Sequence, residues 1–234
     1  NTNFEYVNDG REGYDHPYIH IKAGNTIKFD TVNTAQMEFP TRVSHVVGFW
    51  TDTVNSSIYK ATGKDSNGQA YYIELKSDAN NFILDINGTE QTLFPRTVIQ
   101  KWLTVVIEPN RVYGIEWSED TPLYPRNDLY PNNELFPRYV ISPFAKTYTN
   151  IDIDTGGEWN SISTSGDVLM RYIWIEDRAI TDEEISSLSD LNKLPVWDNE
   201  TLMLAIFNEN LLAGSIASDV PVTGWIVYSI EDGS

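Results

Sequence analysis

VLMRYIWIEDRAITDEEISSL, Val168 to Leu188, is the stretch whose reading decides the fold. Val168, Met170, Tyr172 and Trp174 alternate with Leu169, Arg171, Ile173 and Ile175, which predicts a strand with at least one buried face. A turn follows, then a short helix with a well-specified start. Thr181 can cap the first turn and Glu184, three residues on, completes a capping box. Ile180 and Ile185 flank the cap as a hydrophobic staple, and Ile185, Leu188 and Leu191 give the helix one apolar stripe. The helical pattern runs over Thr181–Asn192.

Working outward, the chain to about residue 175 reads as short strands separated by Asn, Asp, Gly and Pro clusters. The expected strands are Tyr18–Ile21, Thr26–Phe29, His45–Thr51, Ala70–Leu75, Phe82–Ile86, Leu103–Glu108, Val112–Trp117, Arg138–Ile141, Asn150–Ile153 and Val168–Ile175. Hairpin turns are expected at Asp65–Gly68 and, most strongly, at Asn87-Gly88. This pattern predicts an all-β antiparallel sandwich or jelly roll. After Leu194-Pro195, the runs TLMLAIF and VTGWIVYSI predict further β structure. Residues 195–234 are too few for a core of their own, so they are expected as a small β appendage docked on residues 1–194, or as the start of a further β domain.

The 234 residues carry 16 Lys and Arg against 34 Asp and Glu, a net charge of −18. That charge repels polyanions and excludes sequence-independent nucleic-acid binding. Cysteine is absent, so no disulfide framework and no thiolate metal site exists. His16, His20 and His45 have no zinc-ligand pattern. No run of 18 apolar residues predicts membrane insertion. The chain begins at Asn1 with no signal-peptide pattern, as expected of a processed chain or part of a longer one.

Residues Thr121–Arg138 contain three six-residue units, TPLYPR, NDLYPN and NELFPR, foreshadowed by LFPR at Leu93–Arg96. Proline every six residues excludes an α-helix and an interior strand. In extended or polyproline II geometry equivalent residues return to one side, so Leu123, Leu129, Leu135, Tyr124, Tyr130 and Phe136 can form a regular ridge. This ridge is the candidate assembly interface. The competing reading is an ordered loop pinned by its own aromatics.

Tyr172–Ile185, YIWIEDRAITDEEI, resembles the closing strand, turn and helix of laminin-G-like, concanavalin A-like domains. SHVVGFW (Ser44–Trp50), FILDINGTE (Phe82–Glu90) and KWLTVVI (Lys101–Ile107) resemble that family's other landmark strands, in compatible order. The resemblance covers about residues 1–190, with the repeat near 118–150 as an insertion. The L-[YF]-P repeat and the C-terminal segment also resemble parts of tail and baseplate proteins of phages of Gram-positive bacteria. Together they imply a virion structural or attachment protein of tail, baseplate, collar or fibre. Its partners would be other virion proteins or copies of itself, with possible contact to a host glycan. A bacterial surface or secreted carbohydrate-binding module is the alternative, and a glycoside hydrolase is a third reading.

Catalysis by paired carboxylates would need two acids across a scissile bond. Glu116 with Glu119, and Asp152 with Asp154, are the nearest pairs, and a solvated outer face explains them better. Asp154-Thr-Gly-Gly157 reads as a turn. No nucleophile elbow or phosphate loop occurs, so the expectation is a non-enzyme. The resemblance makes Ca2+ possible, with acidic clusters at Asp52–Asn55, Asp65–Asn67, Asp78–Asn81 and Asp152–Asp154, but turn chemistry accounts for them and no ligand is assigned. For glycan contact, Trp159 in the polar loop Gly156–Asn160, with Asn160, is the best candidate for an exposed aromatic platform and Tyr148 a weaker one; the competing reading is a loop Trp folded back over the sheet. Trp50, Trp102 and Trp174 are expected in the core. Sequons at Asn55, Asn87 and Asn199 need carry no glycan.

Overall fold

A computed structural model of the chain describes residues 4–11, 14–31, 39–40, 42–51, 53–54, 57–95, 102–109, 111–117, 139–141, 146–147, 153, 157–188, 190–207 and 226–232. These form β1 (Phe4–Val7), β2 (Tyr18–Ile21), β3 (Asn25–Thr31), β4 (Phe39–Pro40), β5 (Ser44–Trp50), β6 (Ser57–Lys64), β7 (Ala70–Ser77), β8 (Asn81–Ile86) and β9 (Thr89–Pro95). They continue with β10 (Leu103–Glu108), β11 (Arg111–Trp117), β12 (Tyr139–Ile141), β13 (Lys146–Thr147), β14 (Glu158–Ser165) and β15 (Val168–Glu176). Then come α1 (Asp182–Leu188), β16 (Thr201–Ile206) and β17 (Ile226–Asp232).

The strands make two antiparallel sheets. The first has the order β1-β2-β15-β5-β10-β11-β12, with β13 also on β11 and β16 also on β15. The second runs β17-β3-β14-β6-β7-β8-β9, with β4 also on β14. The opening stretch sits centrally, because β15 pairs with β2, β5 and β16 and is buried along its whole length. Alternation sends Val47 and Phe49 of β5, Val105 and Ile107 of β10, and Ile173 and Ile175 of β15 into a core shared with Ile73 and Leu75 of β7 and Ile162 of β14. Each such side chain contributes about 1.5–3 kcal/mol on burial.

The β8–β9 turn follows the sequence. Asn87 has φ 48° and Gly88 φ 88°, the left-handed pair that a type I′ hairpin requires. At the β6–β7 turn, Asp65 Oδ1 accepts from the backbone N–H of Asn67 (2.8 Å) and Gln69 (2.9 Å). Of the residues after 194, β16 extends the first sheet beside β15, and β17 is a strand of the second beside β3. Of the predicted Asn150–Ile153 strand only Ile153 is described, and it is buried.

The third layer is α1 with its flanking turns. Thr181 and Glu184 make the predicted capping box: Thr181 N–H donates to Glu184 Oε2 (2.9 Å), and Glu184 N–H donates to Thr181 Oγ1 (3.2 Å). Ile180, Ile185 and Leu188 press on Val46, Val106, Tyr172 and Trp174. The helix ends at Leu188, short of the predicted Asn192, and Leu191 instead packs in a neighbouring cluster with Tyr14, Tyr18, Trp102 and Leu169. The central strands β5, β10 and β15 of the first sheet are thereby covered.

Candidate functional site

The expected glycan platform is not exposed. Trp159 is fully buried, inside β14, and it faces the interior between the sheets. Its ring meets His45 edge-on at 5.5 Å and Tyr71 at 5.5 Å. Gly157, part of the stretch that suggested a loop, and Gly63 serve a close approach of β14 to β6. A Cβ on Gly63 would lie 1.8 Å from the Glu158 carbonyl oxygen, and one on Gly157 would lie 1.7 Å from that of Lys64. That approach delivers Trp159 to the core. Asn160 is half-buried at a register shift between Trp159 and Ser161. Tyr148, the carboxylates Asp152 and Asp154, and the ridge Leu123, Tyr124, Leu129, Tyr130, Leu135 and Phe136 lie outside the described residues. Trp102 and Trp174 are buried as expected, and Trp50 is half-buried.

Of the acidic clusters, Asp65 holds its own turn, and Asp78 Oδ1 accepts from Asn80 N–H (2.7 Å) and Asn81 N–H (2.6 Å). Among the described residues no three His, Cys, Asp or Glu side chains converge as a metal site would require.

Three polar constellations do stand out. The first lies under α1. Arg178 Nη1 and Nη2 donate to the two carboxylate oxygens of Glu184 (2.7 and 2.6 Å), Nη2 also donates to Asp198 (2.8 Å), and Nε lies 2.5 Å from Glu200. Glu176 Oε2 is 3.6 Å away and has no hydrogen-bond donor. The arginine holds Glu184 and Asp198 below the usual carboxylate range, and these acids raise Arg178 in turn. Burial pushes Glu176 the other way, upward. Its Oε1 accepts from Thr201 Oγ1 (2.5 Å) and from Trp174 Nε1. The turn itself is tied to the sheet by Ser44 Oγ donating to the Arg178 carbonyl (2.5 Å) and by Ile180 N–H donating to Glu108 Oε1 (3.0 Å). One guanidinium thus locks the helix and the 198–200 turn onto the end of β15.

The second is Arg171, buried on the same face. Its guanidinium lies 5.1–5.5 Å from the ring centroids of Tyr172, Tyr14 and Trp102. Nη1 donates to the Leu191 carbonyl (3.0 Å) and Nη2 to Thr104 Oγ1 (2.7 Å). Gly48 leaves the room: a Cβ there would sit 2.8 Å from the Tyr172 ring. Aromatic faces and carbonyl oxygen compensate the charge here.

The third crosses the outer face of the second sheet. Strand registers align Lys28 with Ser163, Ser163 with Lys60, Lys60 with Glu74, Glu74 with Asp85 and Asp85 with Glu90 in one row. Lys60 Nζ donates to Glu74 (3.1 Å) and sits 4.2 Å over the Tyr72 ring. Lys76 Nζ donates to Asp85 (2.8 Å) and lies 2.7 Å from Glu90. Burial alone would raise Asp85, but Lys76 and the Gly88 N–H outweigh it and hold the carboxyl low.

No protein-family model and no curated protein matches the chain. Several solved structures are similar to it. They include full-length tailspike protein 2 of an Escherichia coli O157:H7 bacteriophage, with 11% identity and TM-score 0.45 over 89% of this chain and 29% of that one. The enzymatically active domain of tailspike protein 2 of bacteriophage CBA120 gives 10% identity and TM-score 0.43 over 89% and 32%. A protein of unknown function from Shewanella oneidensis MR-1 gives 9% identity and TM-score 0.30 over 72% of each chain. The chain therefore spans about a third or less of the two tailspike chains it resembles.

Sequence reasoning missed all three constellations. The polar alternation of AYYIELKS in β7 signals an outward charged face, and an arginine inside the apolar run VLMRYIWIE signals a buried partner set. Nothing local predicts that Asp198 and Glu200 would meet Arg178, because 20 residues and a helix intervene.

Proposed function

We propose that this chain is a non-enzymatic structural and attachment domain of a phage virion, of the laminin-G-like, concanavalin A-like type, working by protein–protein assembly with host-glycan contact as a secondary role. The observation that carries the reading is the position of the repeat. Trp117 and Tyr139 are register partners in paired strands β11 and β12, so a tight turn would suffice to join them. Residues 118–138, with all three L-[YF]-P copies, are inserted there instead, beside an edge strand of the first sheet. A connection of that length inside a compact domain is a mark of a functional segment. The family resemblance supports the same reading, since the SHVVGFW, WLTVVI and closing YIWIE segments are neighbouring strands β5, β10 and β15, and the NG landmark turns β8 into β9.

The test replaces Tyr124, Tyr130 and Phe136 with Ala and follows assembly by light scattering and electron microscopy of the chain with its virion partners. Loss of assembly with an unchanged thermal melt is expected, and unchanged assembly rejects the repeat as the interface. A glycan array on the isolated monomer separates the runner-up: strong binding without assembly favours a carbohydrate-binding module.

A further inference from the structure

The outer face of the second sheet carries its charges in an order that a two-fold axis would use. Along the register row the sequence of side chains is Lys28, Ser163, Lys60, Glu74, Asp85, Glu90: cationic at the β3–β6 end, anionic at the β7–β9 end. Among the described side chains, Lys64 and Glu158 add a balanced pair to the first half, and Lys76 offsets one of the three acids of the second. Inward positions on the same strands are apolar, so the row faces away from the core. Among the described residues no helix or strand lies over it, with Asp85 buried between its neighbours in the row, whereas α1 covers Val46, Val106, Tyr172 and Trp174 of the opposite face.

We infer that this face is a self-complementary interface for a second copy of the chain. Rotating a copy by 180° about an axis passing between Lys60 and Glu74 sets each lysine end on the partner's acidic end. This is the arrangement an isologous dimer requires. The charge of the whole chain strengthens the choice. At −18 net, copies repel over most of their surface, and this is a broad face on which opposite charges can be brought into register. Six strands at about 4.8 Å spacing and about seven residues at 3.4 Å rise give on the order of 600 Å² per copy, ~1,200 Å² in total. That is the lower limit for a specific complex, so association is expected at roughly ten to a few hundred micromolar and to weaken strongly with salt.

The proposal is independent of the repeat: the Tyr124, Tyr130 and Phe136 alanine variants should dimerise as the parent does, so the two readings fail separately. Sedimentation velocity of the full chain from about 5 to about 500 μM at low salt should show a monomer–dimer equilibrium, weakened at least about tenfold at about 0.5 M salt, where the Debye length falls to roughly 4 Å. Lys28→Glu with Lys60→Glu should abolish it, as should Glu74→Lys with Glu90→Lys, and an equimolar mixture of the two variants should restore a heterodimer. Because the chain has no cysteine, Thr62→Cys, beside the axis, should cross-link copies under oxidation, while Val196→Cys, 77% exposed and distant from the row, should not. A wild type that stays monomeric throughout, a dimer indifferent to both charge variants, no rescue on mixing, or equal cross-linking at the two cysteines would each overturn the proposal.

Discussion

The two outer faces of this sandwich solve the same problem in opposite ways. The first sheet turns Val46, Val106, Tyr172 and Trp174 outward and must be covered, which α1 and the following turn accomplish. The second turns Lys60, Glu74, Lys76 and Asp85 outward, where they are paired with one another and half-buried, Asp85 almost wholly. Both faces contain arginine or lysine against acids, but their energetic weight differs. Where a guanidinium is buried, as at Arg171, removing it strands its partners without water; where an ammonium is only part-buried, as at Lys60 and Lys76, solvent replaces much of what is lost.

The strongest attempt to break this contrast is Arg171→Ala. It should cost about 3 kcal/mol in urea denaturation, because the Leu191 carbonyl and Thr104 hydroxyl lose a donor and the space between three aromatic rings is emptied. A loss below about 1 kcal/mol would mean that the covered face is no more critical than the open one.

The layer between the faces gives a pH signature. Burial pushes His45 down to about 3, while an unfolded imidazole takes a proton near 6.5. Between those values the unfolded chain binds more protons, so stability falls as pH drops from about 6.5 toward 3, by up to ~1.4 kcal/mol per unit. At pH 5 the loss should approach roughly 2 kcal/mol. Glu184 and Asp198, lowered by Arg178, add their own loss only below about 4.5. Denaturation at pH 7, 6 and 5 therefore reads His45 against the opposing contribution of Glu176, whose raised carboxyl favours the fold as pH falls, and His45→Gln should remove the loss of stability toward pH 5.

Next in size is Arg178→Ala, expected to cost about 1.5 kcal/mol, between the values for buried and surface pairs since the side chain is partly exposed. Hydrogen exchange should show the loss in α1 and around 198–200 before it appears in β5 or β10. The smallest effect is on the open face. A Lys60–Glu74 double-mutant cycle should give a coupling of about 0.5 kcal/mol. A value above ~1.5 would show that the ion pairs of that face hold the sheet together.

The regularities that sequence exposes are those with a short period or a local partner. Thr181 and Glu184 are three residues apart, Asn87 and Gly88 are adjacent, and the alternation in β15 repeats every two residues, so the cap, the turn and the strand were readable. The strand β14 was not, since Glu158–Ser165 mixes serines with two inward apolar side chains and begins after two glycines. Those glycines spoke for a loop, and only the nearness of β6 shows that Gly157 permits contact. That misreading moved Trp159 from the core to the surface. The charge row was hidden for a different reason: its six members come from six strands, and their alignment exists only once every register is set.

The last described strand has a consequence for how the chain is made. β17 pairs along its length with β3, so Asn25–Thr31 meets Ile226–Asp232. Roughly 200 residues separate the partners, about 10–40 s of synthesis at ~5–20 residues per second. During that interval one side of β3 has no native neighbour. The nascent sandwich thus carries an unfinished edge until its own distal segment emerges, and copies translated close together on one message could pair there wrongly. Slow translation through the 208–225 region would lengthen that exposure, making yield sensitive to codon choice in a segment far from the strand it protects.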